Sequence, residues 1–309
     1  MASKEPLDVR LTEQRNPLSA RIDRLSPLEI VDVINAEDHR VAPAVEAERK
    51  HVARAIELAE AAFRGGGRLL YVGAGTSGRL GVLDAAEMPP TYGTDPGMVQ
   101  GIIAGGEAAL TQAIEGAEDD PAGGAAAMDE RGVGPGDFVL GIASSGTTPF
   151  VHGALERAKT LGARTGFLLC TPPSPELRQR YDVVIAPLVG PEVVTGSTRM
   201  KAGTATKMVL NTITTGAMIR LGKTFGNLMV DLRATNVKLQ DRSERILMEM
   251  LELSRDDARQ LLKRGGGSVK TAIAMYWTGL GPEEARRELQ AAGGRLGAIL
   301  ERGANDGGD

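Results

Sequence analysis

The sequence predicts an α/β protein: a parallel sheet of five short strands covered by helices on both faces, followed by a small helical appendage. Short apolar runs alternate with segments of helical period, which is the pattern of a parallel sheet buried on both sides. Glycine is abundant, 40 of 309 residues, while aromatics make up only 3%, so backbone rather than large side chains is expected to approach ligands and neighbouring elements. After Gly222 the β signals stop, and helix starts separated by glycine runs take over.

Residues 1–25 are polar and read as an arm. Ser26-Pro27-Leu28-Glu29 presents a capping box with proline at the first helical position, which predicts a short helix to about Asn35. From Val45 onward Val52, Ile56, Ala59 and Phe63 recur at helical spacing until Gly65-Gly66-Gly67. Residues 68–72 form a buried strand that runs straight into Gly73-Ala74-Gly75-Thr76-Ser77-Gly78. The helix that follows, from about Ser77 to Met88, is expected to stop at Pro89-Pro90. A strand over 98–104, helices over 107–116 and 121–132 and a strand over 138–143 come next. Ser144-Ser145-Gly146-Thr147-Thr148 then opens a helix over 150–160, and strands are expected at 165–170 and 183–187. A long helix over 198–221 closes this unit, and Ser254, Ser268 and Pro282 mark the starts of three short helices before a frayed tail from Gly303. The domain reading is therefore 1–50 for the arm and short helix, 51–222 for the sheet domain and 223–309 for the helical region.

Composition removes several function classes. A net charge of -4 offers no basic excess for nucleic acid or an anionic membrane. The partner is expected to be a small molecule. No stretch approaches 18 consecutive apolar residues, and the first ten have no apolar core of a leader, so a cytoplasmic protein is expected. Cys170 is the single cysteine, which suits a reducing compartment. His39, His51 and His152 are far apart with no cysteine cluster beside them, which speaks against a structural zinc site.

Gly73-x-Gly75-x-x-Gly78 after a strand satisfies the dinucleotide fingerprint in letters. The acidic residue wanted at the end of the next strand is missing, because that strand ends Ile103-Ala104-Gly105-Gly106. A nucleotide P-loop is also ruled out, since no Gly-Lys-Ser/Thr closes the loop. What distinguishes the loop is Thr76 and Ser77 at a helix start, echoed by Ser144, Ser145, Gly146, Thr147 and Thr148 at another. Backbone N–H groups at a helix start, hydroxyl donors and the positive end of the helix dipole together bind a phosphate monoester without a lysine. The competing reading is that each hydroxyl merely caps its helix.

Over roughly residues 50–222 this arrangement resembles the sugar isomerase (SIS) domain of phosphosugar-binding proteins, a five-stranded parallel sheet between helices that is usually dimeric. The segments Leu11-Thr12-Glu13-Gln14-Arg15-Asn16-Pro17, Gly73 through Gly93, Glu115 through Asp120, Gly190 through Thr204 and Gly226 through Asp231 together resemble the N-acetylmuramic acid 6-phosphate etherase family, over nearly the whole chain. One departure is visible: Thr147 stands where that family carries an arginine, which removes a charge-assisted contact to the sugar phosphate. The resemblance implies cleavage of the lactyl ether of N-acetylmuramate 6-phosphate to N-acetylglucosamine 6-phosphate and D-lactate, with no metal or cofactor, in a homodimer. It assigns Glu87 to the proton at the scissile ether and Glu118 to deprotonating the incoming water. Gly78 and the hydroxyls of both loops would bind substrate. Ser197, Thr198, Arg199 and Lys201 begin the long helix and could bind the lactyl carboxylate or the sugar; the competing reading is a helix cap and a solvated basic turn. Glu192 is a substrate-orienting or structural residue, and related isomerases place their base there. Asn227 and Asp231 could order the same region.

Two other functions stay open at this level. A non-catalytic sugar-phosphate sensor would bind such a sugar without releasing lactate, and an aldose–ketose isomerase would use Glu192 and need no Glu118.

Overall fold

The computed structural model describes residues 10–231 and 237–305. The chain divides into two compact units, one holding residues up to Ala86 with Gly97–Thr214, the other Glu87–Pro96 with the chain from Thr215. The second division falls inside the long helix, eight residues before the boundary drawn from the sequence at 222.

Ahead of the sheet come α1 (Pro27–Asp38), α2 (Val41–Ala47) and α3 (Arg49–Arg64). Ser26 closes the expected capping box with Glu29. The polar arm is not loose from residue 10 onward: it makes three short 3-10 turns and buries Thr12, Asn16 and Ser19. The sheet unit then runs β1 (Leu69–Gly73), α4 (Gly75–Tyr92), β2 (Val99–Ile103), α5 (Pro121–Glu130), β3 (Phe138–Ile142), α6 (Pro149–Thr160), β4 (Arg164–Leu168), α7 (Pro175–Arg180), β5 (Val183–Ile185) and α8 (Lys201–Arg220).

All five strands are parallel, in the order β2-β1-β3-β4-β5. Every residue of β1 and β3 is buried, as their unbroken apolar runs require of strands covered on both faces. Registers Gly73↔Ile103 and Gly73↔Ile142 bring the carboxyl ends of β2, β1 and β3 level. From β1 the chain crosses outward to β2 and then back past β1 to β3. The turns after β1 and β3 therefore flank the point where strand order reverses, the place where open α/β sheets hold ligands. Glycine lets the covering helices come close: a Cβ on Gly124 would lie 1.9 Å from Phe150 O, and one on Gly153 2.0 Å from Pro121 O.

Three expectations are corrected. Helix α4 begins at Gly75 and passes through Pro89 and Pro90 instead of stopping before them. Proline removes a helical hydrogen bond and crowds the previous turn at about 3 kcal/mol or more; burial of Met88 and Tyr92, one turn apart on one face, opposes that cost. Gly93 ends the helix with φ 61 and its N–H on Pro89 O. The helix expected over 107–116 shrinks to a 3-10 turn at Glu107–Leu110, because the Arg79 guanidinium takes the carbonyls of Leu110 and Gln112 that a longer helix would use itself. Beyond Gly222 a small hairpin, β6 (Thr224–Phe225) with β7 (Leu228–Met229), appears where no strand was expected. Its turn at Gly226 and Asn227 supplies no periodic signal.

The second unit continues with α9 (Val237–Leu251), α10 (Arg255–Arg264), α11 (Val269–Thr278), α12 (Pro282–Ala291) and α13 (Leu296–Asn305). Ser254 and Ser268 cap α10 and α11 as expected, and Pro282 opens α12. Its core is its own, built from Leu247, Leu262, Ile273, Met275 and their neighbours. Trp277 packs there on Phe225, ring centroids 5.5 Å apart. Helix α13 reaches into the expected tail, and residues 306–309 lie outside the described chain. No helix among the described residues is long and apolar enough to cross a membrane.

Candidate active site

The turn after β1 is as short as a strand-to-helix turn can be. Ala74 alone separates β1 from α4, so Thr76 and Ser77 lie in the first turn of the helix. A Cβ on Gly73 would meet Gly78 N at 2.6 Å, and one on Gly78 would meet Ile103 Cγ1 at 2.6 Å. Gly78 is thus buried and serves helix–strand packing, which changes its expected part from ligand contact to support of the turn. Ala74 has only a methyl group at the position before the helix, so no side chain there caps the first amides, which have no partner within the helix.

The turn after β3 is tied down by the Gly146 N–H on Ala143 O (2.8 Å), the Cys170 N–H on Ser144 O (2.9 Å) and His152 Nε2 at 2.8 Å from Gly146 O. Gly146 has φ 78, a left-handed conformation that suits glycine. Ser145 Oγ and Thr147 Oγ1 share a hydrogen bond of 3.0 Å. Thr148 precedes α6 but makes no side-chain capping bond, so its hydroxyl is not spent on the helix. That weighs against the capping explanation at this turn.

The first residues of α8 approach the first turn: a Cβ on Gly203 would lie 3.5 Å from Thr198 O and 3.6 Å from Thr76 Cγ2. Ser197 and Thr198 precede the helix rather than opening it, since α8 starts at Lys201. One further expectation changes here, and one open alternative narrows. Lys201 is 1% exposed and its ammonium is bound to Glu37, so it stands as half of a buried ion pair, not as a cation facing a ligand. Glu192, also 1% exposed, accepts the N–H groups of Lys201 (3.1 Å) and Ala202 (2.9 Å). Its carboxylate caps α8, the structural alternative read from the sequence. Burial raises the Glu192 pKa even against those two amides and Lys201.

A cleft of about 210 Å³ opens beside the β1 turn, lined by Ala74, Gly75, Arg79, Glu115 and Glu118 among others. Glu118, reached through a 3-10 turn and exposed, thus shares a wall with the first phosphate-type turn. Glu87 is exposed and sits within α4 rather than at its end, since the helix runs on through the prolines. Asn227 lies in the turn of the β6–β7 hairpin, and Asp231 pairs with Lys223 (2.9 Å) and Lys270 (3.4 Å). Burial lowers the Lys270 pKa against the pull of Asp231. Cys170 is buried and its thiol is pushed up to about 12 by burial, as an inert core residue.

Sequence reasoning missed Asp84, which is 5% exposed and accepts hydrogen bonds from Tyr71 Oη (2.8 Å), Asn211 Nδ2 (2.6 Å) and Thr214 Oγ1 (3.3 Å). It lies in the motif that carries Glu87, but its partners come from β1 and α8. No local pattern announces such a partnership. Arg79 lines the same cleft and donates to the carbonyls of Leu110 and Gln112, the latter another lining residue.

A parallel sheet of this order with hydroxyl-bearing turns at its reversal point defines the SIS-domain class. The family model for the glucokinase regulatory protein N-terminal SIS domain matches residues 51–159. The N-acetylmuramic acid 6-phosphate etherase of Gloeobacter violaceus is 56% identical over 292 residues, 94% of this chain and 95% of its own. That of Synechococcus elongatus is 55% identical over 290 residues, 94% of each. Among solved structures, a phosphoheptose isomerase from Neisseria gonorrhoeae aligns with TM-score 0.47 and 18% identity, over 62% of this chain and 98% of that one. The chain belongs to the N-acetylmuramic acid 6-phosphate etherase family.

Proposed function

We propose that this protein is a carbon–oxygen lyase that cleaves the D-lactyl ether of N-acetylmuramic acid 6-phosphate, yielding N-acetylglucosamine 6-phosphate and D-lactate during reuse of cell-wall amino sugar. An ether is a poor leaving group, and proton transfers solve the problem. Ring opening exposes an aldehyde at C1, which acidifies the C2 proton. Loss of that proton expels lactate from C3, and water adds to the resulting conjugated alkene. Each positioned acid or base contributes typically about 10² to 10⁴ in rate.

In this reading the amides and hydroxyls of Thr76, Ser77 and Ser144–Thr148 hold the phosphate, Ser197 and Thr198 meet the sugar, Glu87 handles the proton at the ether oxygen and Glu118 deprotonates the water. The observation that carries it is the pair of hydroxyl-bearing helix starts at level strand ends, with Glu118 lining the cleft beside the first. The sensor alternative is disfavoured by relatives that match over 94% of the chain, whereas the regulatory-protein model matches residues 51–159 alone. Engagement of Glu192 as a cap disfavours the isomerase.

A cytoplasmic homodimer belongs to the same reading. Ten residues of α4 separate Ser77 from Glu87, about 15 Å of helix axis, a long reach for one bound monosaccharide; the sugar gripped by one subunit would meet Glu87 of the partner subunit. Incubation with N-acetylmuramate 6-phosphate in H₂¹⁸O is expected to release one D-lactate per sugar, with the label at C3 of the sugar. Label in lactate, or binding without lactate, would reject the reading.

A further inference from the structure

The motif Leu11-Thr12-Glu13-Gln14-Arg15-Asn16-Pro17 has no part in the chemistry above, yet two of its polar residues are buried in the first unit while Glu13, Arg15 and Pro17 stay exposed. Thr12 and Asn16 are 2% and 4% exposed. The chain between β5 and α8 forms neither helix nor strand over 186–200, so the polar backbone groups it buries need partners from elsewhere. The arm supplies them. Asn16 Nδ2 donates to Pro191 O (3.1 Å), Ser19 Oγ donates to Val193 O (2.7 Å), and the Gly196 N–H donates to Thr12 O (3.1 Å).

Asn16 does more than meet the turn. Its Nδ2 also donates to Glu37 Oε2 at 2.8 Å, and Glu37 is the carboxylate that holds Lys201 at the start of α8. Burial opposes the charge on Glu37, but bonds from Lys201, Arg40 and Asn16 outweigh it and lower its pKa. One buried amide therefore joins the turn before Ser197 to the anchor of the helix after it. Its Oδ1 accepts from the Leu18 N–H (2.9 Å), which fixes the amide's orientation within the arm.

We infer that residues 11–19 clamp the 190–198 turn from the amino-terminal side and thereby set where Ser197 and Thr198 meet the sugar, with Asn16 as the positioning residue. This rests on the phosphosugar reading, and the test separates the two. In the full-length chain, Asn16→Ala and the milder Ser19→Ala are assayed for lactate release, for inhibition by inorganic phosphate and for amide hydrogen exchange.

Loss of the clamp is expected to raise KM about tenfold in Asn16→Ala and about threefold in Ser19→Ala, with kcat within about a factor of two, the pattern of lost ground-state binding. Phosphate inhibition, which needs only the turns after β1 and β3, should stay unchanged, and exchange at residues 192–198 should quicken in both variants. A lowered kcat with unchanged KM, or phosphate inhibition weakened in parallel, overturns the clamp as a merely structural contact. Should the unmodified chain release no lactate, the proposed activity fails, and the clamp is then judged by exchange alone: no acceleration at 192–198 overturns it.

Discussion

The two glutamates assigned to chemistry differ in what surrounds them, so their removal should stall different steps. Glu118 shares the cleft with Ala74 and Gly75, and its proposed task begins only after lactate has left. Glu118→Gln should therefore still release lactate in a first turnover but accumulate the unsaturated aldehyde, visible as an ultraviolet absorbance in a rapid-mixing experiment. Glu87→Gln should bind substrate normally and lose turnover by about 10²-fold or more. Equal slowing of both steps in both variants would contradict the division of labour. At the same scale the sequence was a poor guide to Lys201 and left Glu192 open between two readings. A lysine and a glutamate near a helix start look available, and only their buried partners, Glu37 and the first amides of α8, show that they are engaged.

Helix α4 is the element on which the proposed site depends, since it carries Thr76 and Ser77 in its first turn and Glu87 farther along. Asp84 fastens it to Tyr71 of β1 and to Asn211 and Thr214 of α8. Burial raises the Asp84 pKa despite those three donors and Lys207. The folded state thus binds the proton more tightly than the unfolded chain does. Stability from this group is full below about pH 4, the unfolded value, and declines as pH rises through the folded value. Asp84→Asn should flatten the rise in thermal midpoint on acidification in this range, whereas Asp84→Ala should lose roughly 3 kcal/mol by leaving buried donors unpaired. A pH profile unchanged in Asp84→Asn would remove Asp84 as the titrating group. The elements themselves were largely legible: capping residues at Ser26, Ser254 and Ser268 and the apolar strand runs all act locally. The course of α4 through Pro89-Pro90 was not, because proline's local penalty is outweighed by burial that no local pattern reports.

For the whole molecule the proposed homodimer has a consequence that one chain cannot mimic. Light scattering should give twice the mass of the 32.5 kDa chain. Mixed dimers of Glu87→Gln with a Ser77→Ala, Thr148→Ala double variant should recover up to about a quarter of activity, through sites that combine one intact set of turns with one intact glutamate. A monomer at working concentration, or no recovery on verified subunit exchange, would count against sharing. By itself the sequence determined the alternation of strands and helices, the two hydroxyl-bearing turns and the family, because periodicity, caps and contiguous motifs are written in neighbouring residues. Tertiary structure alone decided that the arm holds the 190–198 turn, that Lys201 and Glu192 are engaged, that Asp84 joins three elements and that Glu118 lines the cleft beside the β1 turn. Those facts depend on hydrogen bonds and clefts between residues far apart in the chain, and burial, which sets their energies, exists only once the chain has folded.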